Sequence, residues 1–211
     1  MNNIVNNCID LIQGSDEWKL ARLGFVSASN IADVMAIGRS GEAIGRKKYK
    51  TRLVAERLTM QPLESFTNDA MAWGVQTEPM ARIAFETFTN QFVDQTGFWK
   101  HPDIEWLGCS PDGLLGQDKL IEIKCPNTTT HLDYIFANEV PGDYYKQIQC
   151  QLWVTGRQSC FFVSYDPRLP ERNQLFIKEI LKDEKLISEM TIEVKAFLSE
   201  VEQLMARLTS Q

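Results

Sequence analysis

The residue types able to do chemistry in this 211-residue chain gather in one short stretch. Ser110-Pro111-Asp112-Gly113 is followed, after a turn at 116–119, by Leu120-Ile121-Glu122-Ile123-Lys124-Cys125-Pro126. Side chains alternate faces along a strand, so Glu122 and Lys124 share one side while Ile121 and Ile123 point to the other, into the core. Pro111 and Gly113 hold Asp112 at a tight bend, and the short return brings it alongside Glu122 at a hairpin end. Two carboxylates and a lysine then converge. Phosphodiester hydrolysis needs that set: hard oxygen ligands for Mg²⁺ or Mn²⁺, and a cation that orients water or offsets developing charge. The competing reading is an ordinary hairpin, with Asp-Gly as its turn and Glu122 and Lys124 as an exposed cross-strand pattern. Apolar segments flank both carboxylates and favour a partly buried face, where unpaired charge is costly.

Periodicity assigns the elements that must position these groups. Ser15 caps a short helix closing near Gly24, and Ser27 or Ser29 caps a second within 27–36. A loop over 38–45 leads into a basic amphipathic helix from Gly45 to about Met60, with Tyr49, Leu53, Val54 and Leu58 as its apolar positions. A helical segment over 68–91 carries Ala81, Phe85 and Phe88 at helical intervals. Beyond residue 91 the period shortens to five strands, over 92–99, 104–110, 119–125, 160–166 and 174–180. Helices over roughly 129–138 and 142–155 separate the third strand from the fourth. Leu186, Met190, Val194, Phe197, Val201, Leu204 and Leu208 mark a long final helix whose stripe is most simply core packing. Strands flanked by helices define an α/β or α+β chain.

A composition of 44% hydrophobic and 24% charged residues supplies a sizeable core and excludes disorder. At about 150 residues per domain the chain is expected to form one domain over 1–211. Its helical part covers about 15–90, its catalytic sheet about 91–180 and its C-terminal helix about 182–208. No uncharged apolar run approaches the roughly 18 residues of a membrane span, and the first residues lack a basic segment followed by an apolar one. A soluble, cytoplasmic protein is expected. Five cysteines, odd in number and without a CxxC pair, read as reduced and mostly buried thiols. Two histidines are too few for HExxH or three-histidine zinc chemistry, so any metal is expected on oxygen. A thiol hydrolase using Cys109 or Cys125 with His101 or His131 lacks a helix-start nucleophile and a spaced Asn or Asp partner.

The formal net charge of −6 argues against a polyanionic partner, but the positive charge is concentrated. Residues 1–60 carry nine Lys or Arg against six Asp or Glu. Arg39, Arg46, Lys47, Lys48, Lys50, Arg52 and Arg57 all fall within 37–60, against Glu42 and Glu56. Taken alone this run reads as a solvated helix face, with nucleic-acid binding the alternative.

SPDG followed by IEIK resembles the PD-(D/E)xK nuclease signature. The wider chain resembles the phage lambda exonuclease family of alkaline, recombination-linked exonucleases. DEWKLARLGFVSAS, MAWGVQTEPMARIAFE, CSPDG, IEIKCP, QIQCQLWVTG and FFVSYDPR keep that family's order and approximate spacing. The resemblance implies a restriction-endonuclease-like core, a central mixed β-sheet flanked by helices. It implies that Asp112 and Glu122 bind Mg²⁺, with Mn²⁺ a substitute, and that the Ile123 carbonyl is a further ligand. Lys124 then positions the attacking water, and Glu78 helps hold a second ion, for one or two ions per subunit. Gln149 of the QxQ segment, with Gln147 two residues earlier, is implied to lie near the scissile phosphate. Arg22, Ser29 and Ser110 are implied to form a pocket for a 5′ phosphate. Without the resemblance, Glu78 reads as a solvated helix acid, Ser29 as a helix cap and Ser110 as a turn residue.

An arginine fork with hydroxyl donors holds a terminal phosphate dianion more strongly than an internal diester, which favours cutting from an end. The implied activity is 5′ to 3′ degradation of one strand of linear double-stranded DNA, leaving 3′ overhangs for a single-strand annealing partner. The resemblance further implies a ring of three identical subunits and a phage or prophage origin in a bacterial host. Arg46, Lys47, Lys48, Lys50 and Arg52 would then bind the DNA backbone. One departure stands out: the family's further acidic residue before CSPDG falls at Pro102, with Asp103 and Glu105 close by and no role assigned to either. The alternatives are a nuclease of the same fold with other polarity or an endonucleolytic cut, and a non-catalytic DNA-binding module. The intact Asp112, Glu122 and Lys124 set speaks against the module.

Overall fold

The computed structural model describes residues 7–39, 41–63 and 69–210. The reading of the first six residues, Ser40 of the 38–45 loop and the Asn68 start of the middle helix therefore lie outside the described residues. Strand β1 (Cys8–Ile9) precedes helix α1 (Asp16–Ala21), where Ser15 Oγ accepts from Trp18 N–H at 3.1 Å as the N-cap. Then come β2 (Val26–Ser27), a 3₁₀ turn at Ala28–Asn30 and α2 (Ile31–Val34). The expected loop is partly a small hairpin, β3 (Ile37–Gly38) against β4 (Gly41–Glu42). Two-residue strands are too short to leave a period in the sequence. Helix α3 (Ile44–Thr59) buries Tyr49, Leu53 and Val54 but leaves Leu58 exposed, and α4 (Asp69–Thr89) buries Ala81 and Phe85 but leaves Phe88 exposed.

Four of the five expected strands are present as β6 (Leu107–Cys109), β8 (Lys119–Lys124), β9 (Ser159–Tyr165) and β10 (Leu175–Leu181), while the first, expected over 92–99, is confined to β5 (Phe98–Lys100). A further short strand, β7 (Gly113–Leu115), follows Asp112 directly. Helices α5 (Thr128–Ala137) and α6 (Gly142–Thr155) form the crossover from β8 to its parallel neighbour β9, and α7 (Glu184–Thr209) closes the chain. The main sheet is mixed, in the order β10-β9-β8-β7, with only the β8 and β9 pair parallel. A second four-stranded sheet runs β1-β5-β6-β2.

Both faces of β8 are covered. Ile121 and Ile123 pack with Ala81, Phe85 and Val163 beneath α4, while Leu120 packs with Ile148, Leu152 and Phe162 beneath α6. Each such side chain contributes about 1.5–3 kcal/mol on full burial, so the alternation along β8 is held in register from both sides. The α7 stripe is core, with Met190, Val194 and Phe197 meeting Ile31, Val34 and Leu53 of α2 and α3; Leu208 at its end is exposed. Among the described residues no helix is long and apolar enough to cross a membrane.

Candidate active site

β7 and β8 are joined by a three-residue turn in which Gly116 holds φ at 55°, a left-handed conformation that favours glycine. Gly113 pairs with Ile121, which sets Asp112 beside Glu122. A side chain at Gly113 would run into Val93 and Ile121, so the residue after Asp112 is glycine for want of room. Past Ile121 the β7 ladder ends, and Ile123 N–H donates to Asp112 Oδ2 at 2.6 Å instead. The N–H and C=O of one strand residue point to the same edge, so the Ile123 carbonyl also emerges on the Asp112 side.

Glu122 is only 1% exposed. Its Oε1 accepts from Lys124 Nζ and from Gln147 Nε2, both at 2.5 Å, and its Oε2 accepts from Gln151 Nε2 at 2.6 Å. Lys124 Nζ also lies 5.0 Å from the centre of the Tyr144 ring. The ordinary-hairpin reading of an exposed Glu122 and Lys124 pattern is therefore corrected, because α6 covers that face. Gln149 faces away from this cluster. Its Nε2 donates to the Leu181 carbonyl at 2.8 Å and its Oε1 accepts from Asp183 N–H at 2.7 Å, so it ties α6 to the corner between β10 and α7. Two residues along a helix turn by about 200°, whereas four return to the same face, which puts Gln147 and Gln151 together and Gln149 behind them. Gln151 was missed by the sequence reading, although the QIQCQ spacing contains the signal.

Burial, and then the negative charge of Glu122, push the Asp112 carboxyl well above the usual range; Lys124 opposes this and Glu78 adds to it. Burial pulls the Lys124 ammonium down, but Glu122 and Asp112 more than reverse that and hold it protonated. Glu78 reaches this neighbourhood from α4, where Pro79 interrupts the helical hydrogen-bond ladder and Arg82 Nη2 donates to Glu78 Oε1 at 3.2 Å. Among the described residues no three His, Cys, Asp or Glu side chains form a ready-made metal cage. The fit for Mg²⁺ rests on two carboxylates and a backbone carbonyl, hard oxygens that would leave the other positions around the ion to water and phosphate. The surplus negative charge that raises Asp112 is of the kind a divalent cation offsets.

Arg22 and Ser110 meet through Trp18. The Arg22 guanidinium lies 4.0 Å over the indole ring, and Trp18 Nε1 donates to Ser110 Oγ at 3.0 Å. Arg22 forms no ion pair among the described residues. Burial lowers its pKa, an effect that a bound anion would reverse. It lines a cleft of about 640 Å³ with Trp18, Ser27, Asn30, Tyr49 and Arg52. Ser29 is exposed, its hydroxyl 3.0 Å from the Oγ of Ser27, which lines the cleft. The basic helix divides. Arg46 and Lys50, expected on a DNA backbone, both pair with Glu42 and with Glu200 of α7 and so fasten α3 to α7. Lys47 and Lys48 are exposed, and Arg52 pairs with Glu56.

The sequence profile of the YqaJ-like viral recombinase domain matches residues 17–158, a span holding the whole of this site except Asp183 and Leu181 behind Gln149. The chain belongs to this family. An alkaline exonuclease (LHK-Exo) from Laribacter hongkongensis is 44% identical over 93% of this chain and 97% of its own, with a TM-score of 0.87. The same exonuclease in complex with dAMP superposes with a TM-score of 0.88. A phage-related exonuclease from Haemophilus somnus 129PT is 14% identical over 87% of this chain and 96% of its own, at a TM-score of 0.68, a likeness of fold. No curated protein matches. This YqaJ-family chain is thus an α+β protein of the PD-(D/E)xK fold and a nuclease.

Thiol chemistry finds no support in this recombinase-family chain. Burial raises Cys125 to about 12 and pushes Cys109 well above its ordinary value, so neither is a thiolate near neutral pH. His131 is spent on Ser164 and the Asn173 carbonyl, and His101 Nδ1 accepts from the backbone of Asp103 and Ile104. Asp103 and Glu105 line a different cleft, with Phe25, His101 and Trp106.

Proposed function

We propose that this YqaJ-family nuclease is a Mg²⁺-dependent exonuclease acting on 5′-phosphorylated ends of linear double-stranded DNA. It degrades one strand 5′ to 3′ and leaves 3′ overhangs for a single-strand annealing partner. The observation that carries this reading is the meeting of Asp112, Glu122 and Lys124 at one bend, two residues from Ser110, which Trp18 joins to Arg22. At about 3.8 Å per residue, Ser110 and Asp112 lie within roughly 8 Å of each other, so a phosphate held at one end of the link sets which bond meets the other.

Asp112, Glu122 and the Ile123 carbonyl would hold Mg²⁺, or Mn²⁺ in its place, and Glu78 a second ion. The bound cation supplies positive charge to the phosphate and acidity to water. Lys124, kept protonated by its two carboxylates, orients the attacking water and offsets charge on the phosphate. Arg22, with Ser29 and Ser110, anchors the 5′ phosphate, and a guanidinium without a carboxylate partner is free for that task. Lys47, Lys48 and Arg52 contact the DNA backbone. The dAMP complex of the similar Laribacter exonuclease supports a nucleoside monophosphate product. The working form is a homotrimeric ring, which reconciles a net charge of −6 with a basic channel, in the cytoplasm of a phage-bearing host.

The test is digestion of linear duplex labelled separately at each 5′ and 3′ end, with Mg²⁺ and with EDTA. Release of 5′-labelled mononucleotide with Mg²⁺ alone is the expected result. Release of the 3′ label first, or internal fragments, would assign the other polarity or an endonuclease.

A further inference from the structure

The geometry points to Gln147 and Gln151 as a pair of positioning residues that confine Glu122 to one-point contact with a divalent cation, so that Mg²⁺ is taken in preference to Ca²⁺. This rests on the proposed metal site. A carboxylate has about four lone-pair positions, two on each oxygen. On Glu122 three are filled: Lys124 and Gln147 occupy Oε1, and Gln151 occupies one position on Oε2. One position remains, on Oε2. Two-point contact, which needs a free position on each oxygen, is closed while Gln147 and Lys124 both donate to Oε1.

The clamp cannot swing aside. Glu122, Gln147 and Gln151 are respectively 1%, 9% and 1% exposed, and the two amides stand one helical turn apart on α6. Gln151 cannot turn over either, because that would set its Oε1 against the carboxylate. In the observed orientation this Oε1 is buried without a partner among the described residues. An unpaired buried acceptor is unfavourable, and it is tolerated here with the amide N–H directed at Glu122. The two cations differ in what they ask of a carboxylate. Ca²⁺ takes six to eight ligands in flexible geometry and readily uses both oxygens, whereas Mg²⁺ demands near-octahedral geometry from one or two carboxylates and waters. A glutamate held to a single lone pair suits Mg²⁺.

The experiment uses the full chain, stripped with EDTA and dialysed, and titrates Mg²⁺ and Ca²⁺ separately by calorimetry. Native protein, Gln147→Met, Gln151→Met and Asp112→Ala are compared. Methionine keeps the length of glutamine and removes the donor. The ratio of the Ca²⁺ to the Mg²⁺ dissociation constant is expected to fall about tenfold in Gln147→Met, which frees a position on Oε1, the scale of effect seen for groups supporting a metal ligand, and to stay native in Gln151→Met, which frees one only on Oε2. An unchanged ratio in Gln147→Met, with binding lost in Asp112→Ala, overturns the clamp and leaves the metal site standing. Native-like binding by Asp112→Ala overturns the metal site and the clamp with it. Should circular dichroism show Gln147→Met misfolded, Gln147→Leu, which also lacks the donor, decides in its place by the same ratio.

Discussion

At the scale of single residues, the site is a charge arrangement that three neighbours hold together. Removing the Glu122 carboxylate unpairs Lys124, Gln147 and Gln151 at once, and removing Lys124 leaves Glu122 buried with two neutral donors. Glu122→Ala and Lys124→Ala are each expected to reduce Mg²⁺-dependent nucleotide release by a hundredfold or more, the order attached to a positioned catalytic group. Far-ultraviolet circular dichroism should stay native, since Ile121 and Ile123 carry the packing of β8. Undiminished release by either folded variant would reject the site. Arg22 belongs to a different step. Arg22→Ala removes a charge-assisted contact of about 1.5–3 kcal/mol, so digestion of 5′-phosphorylated duplex should slow about tenfold to a hundredfold. Duplex with a 5′ hydroxyl should change little, and equal slowing on both substrates would disconnect Arg22 from the terminal phosphate.

Elements are joined by polar groups that the catalytic reading had claimed. Gln149 satisfies the Leu181 carbonyl and the Asp183 N–H where β10 turns into α7. Gln149→Met is expected to cost about 1–3 kcal/mol of stability, seen as a lower midpoint in thermal unfolding. The folded fraction should keep its cleavage rate; a stable but inactive variant would return Gln149 to the site. The junction of α3 and α7 responds to acid. Hydrogen bonding from Arg46, with help from Lys50 and against the effect of burial, holds the Glu200 carboxyl down at about 2. Its folded value lies below its ordinary value of 4.5, so its contribution is present above pH 4.5 and is lost as pH falls toward about 2. Glu200 is partly exposed, which limits the contribution to about 0.5–1 kcal/mol. Glu200→Gln should therefore unfold at a lower temperature than native at pH 7, with the gap narrowing below pH 4 in matched melting curves.

For the molecule as a whole, the question is how an acidic chain grips a polyanion. The cations of the basic helix are not equivalent: α7 neutralises two of them, while Lys47 and Lys48 stay exposed. Replacing both by Ala should weaken duplex binding uniformly across sequences and flatten the slope of log affinity against log salt by about one to two units. An unaltered slope would take α3 off the DNA.

The sequence by itself determined the strand pattern, because Leu120 to Lys124 alternate and both apolar faces must find cover. It also determined the helix stripes and the Asp112, Glu122 and Lys124 set, since a bend, a short turn and a two-residue period leave those groups little choice of direction. Partners between distant elements were decided by tertiary structure. Glu42 and Glu200 lie far from each other along the chain and yet claim the same two cations, Trp18 joins Arg22 to Ser110, and α6 is rotated so that Gln151 rather than Gln149 reaches Glu122. Local rules govern which way a side chain leaves its own helix or strand. What it meets there depends on how elements pack, a property of the whole core that no short window of residues contains.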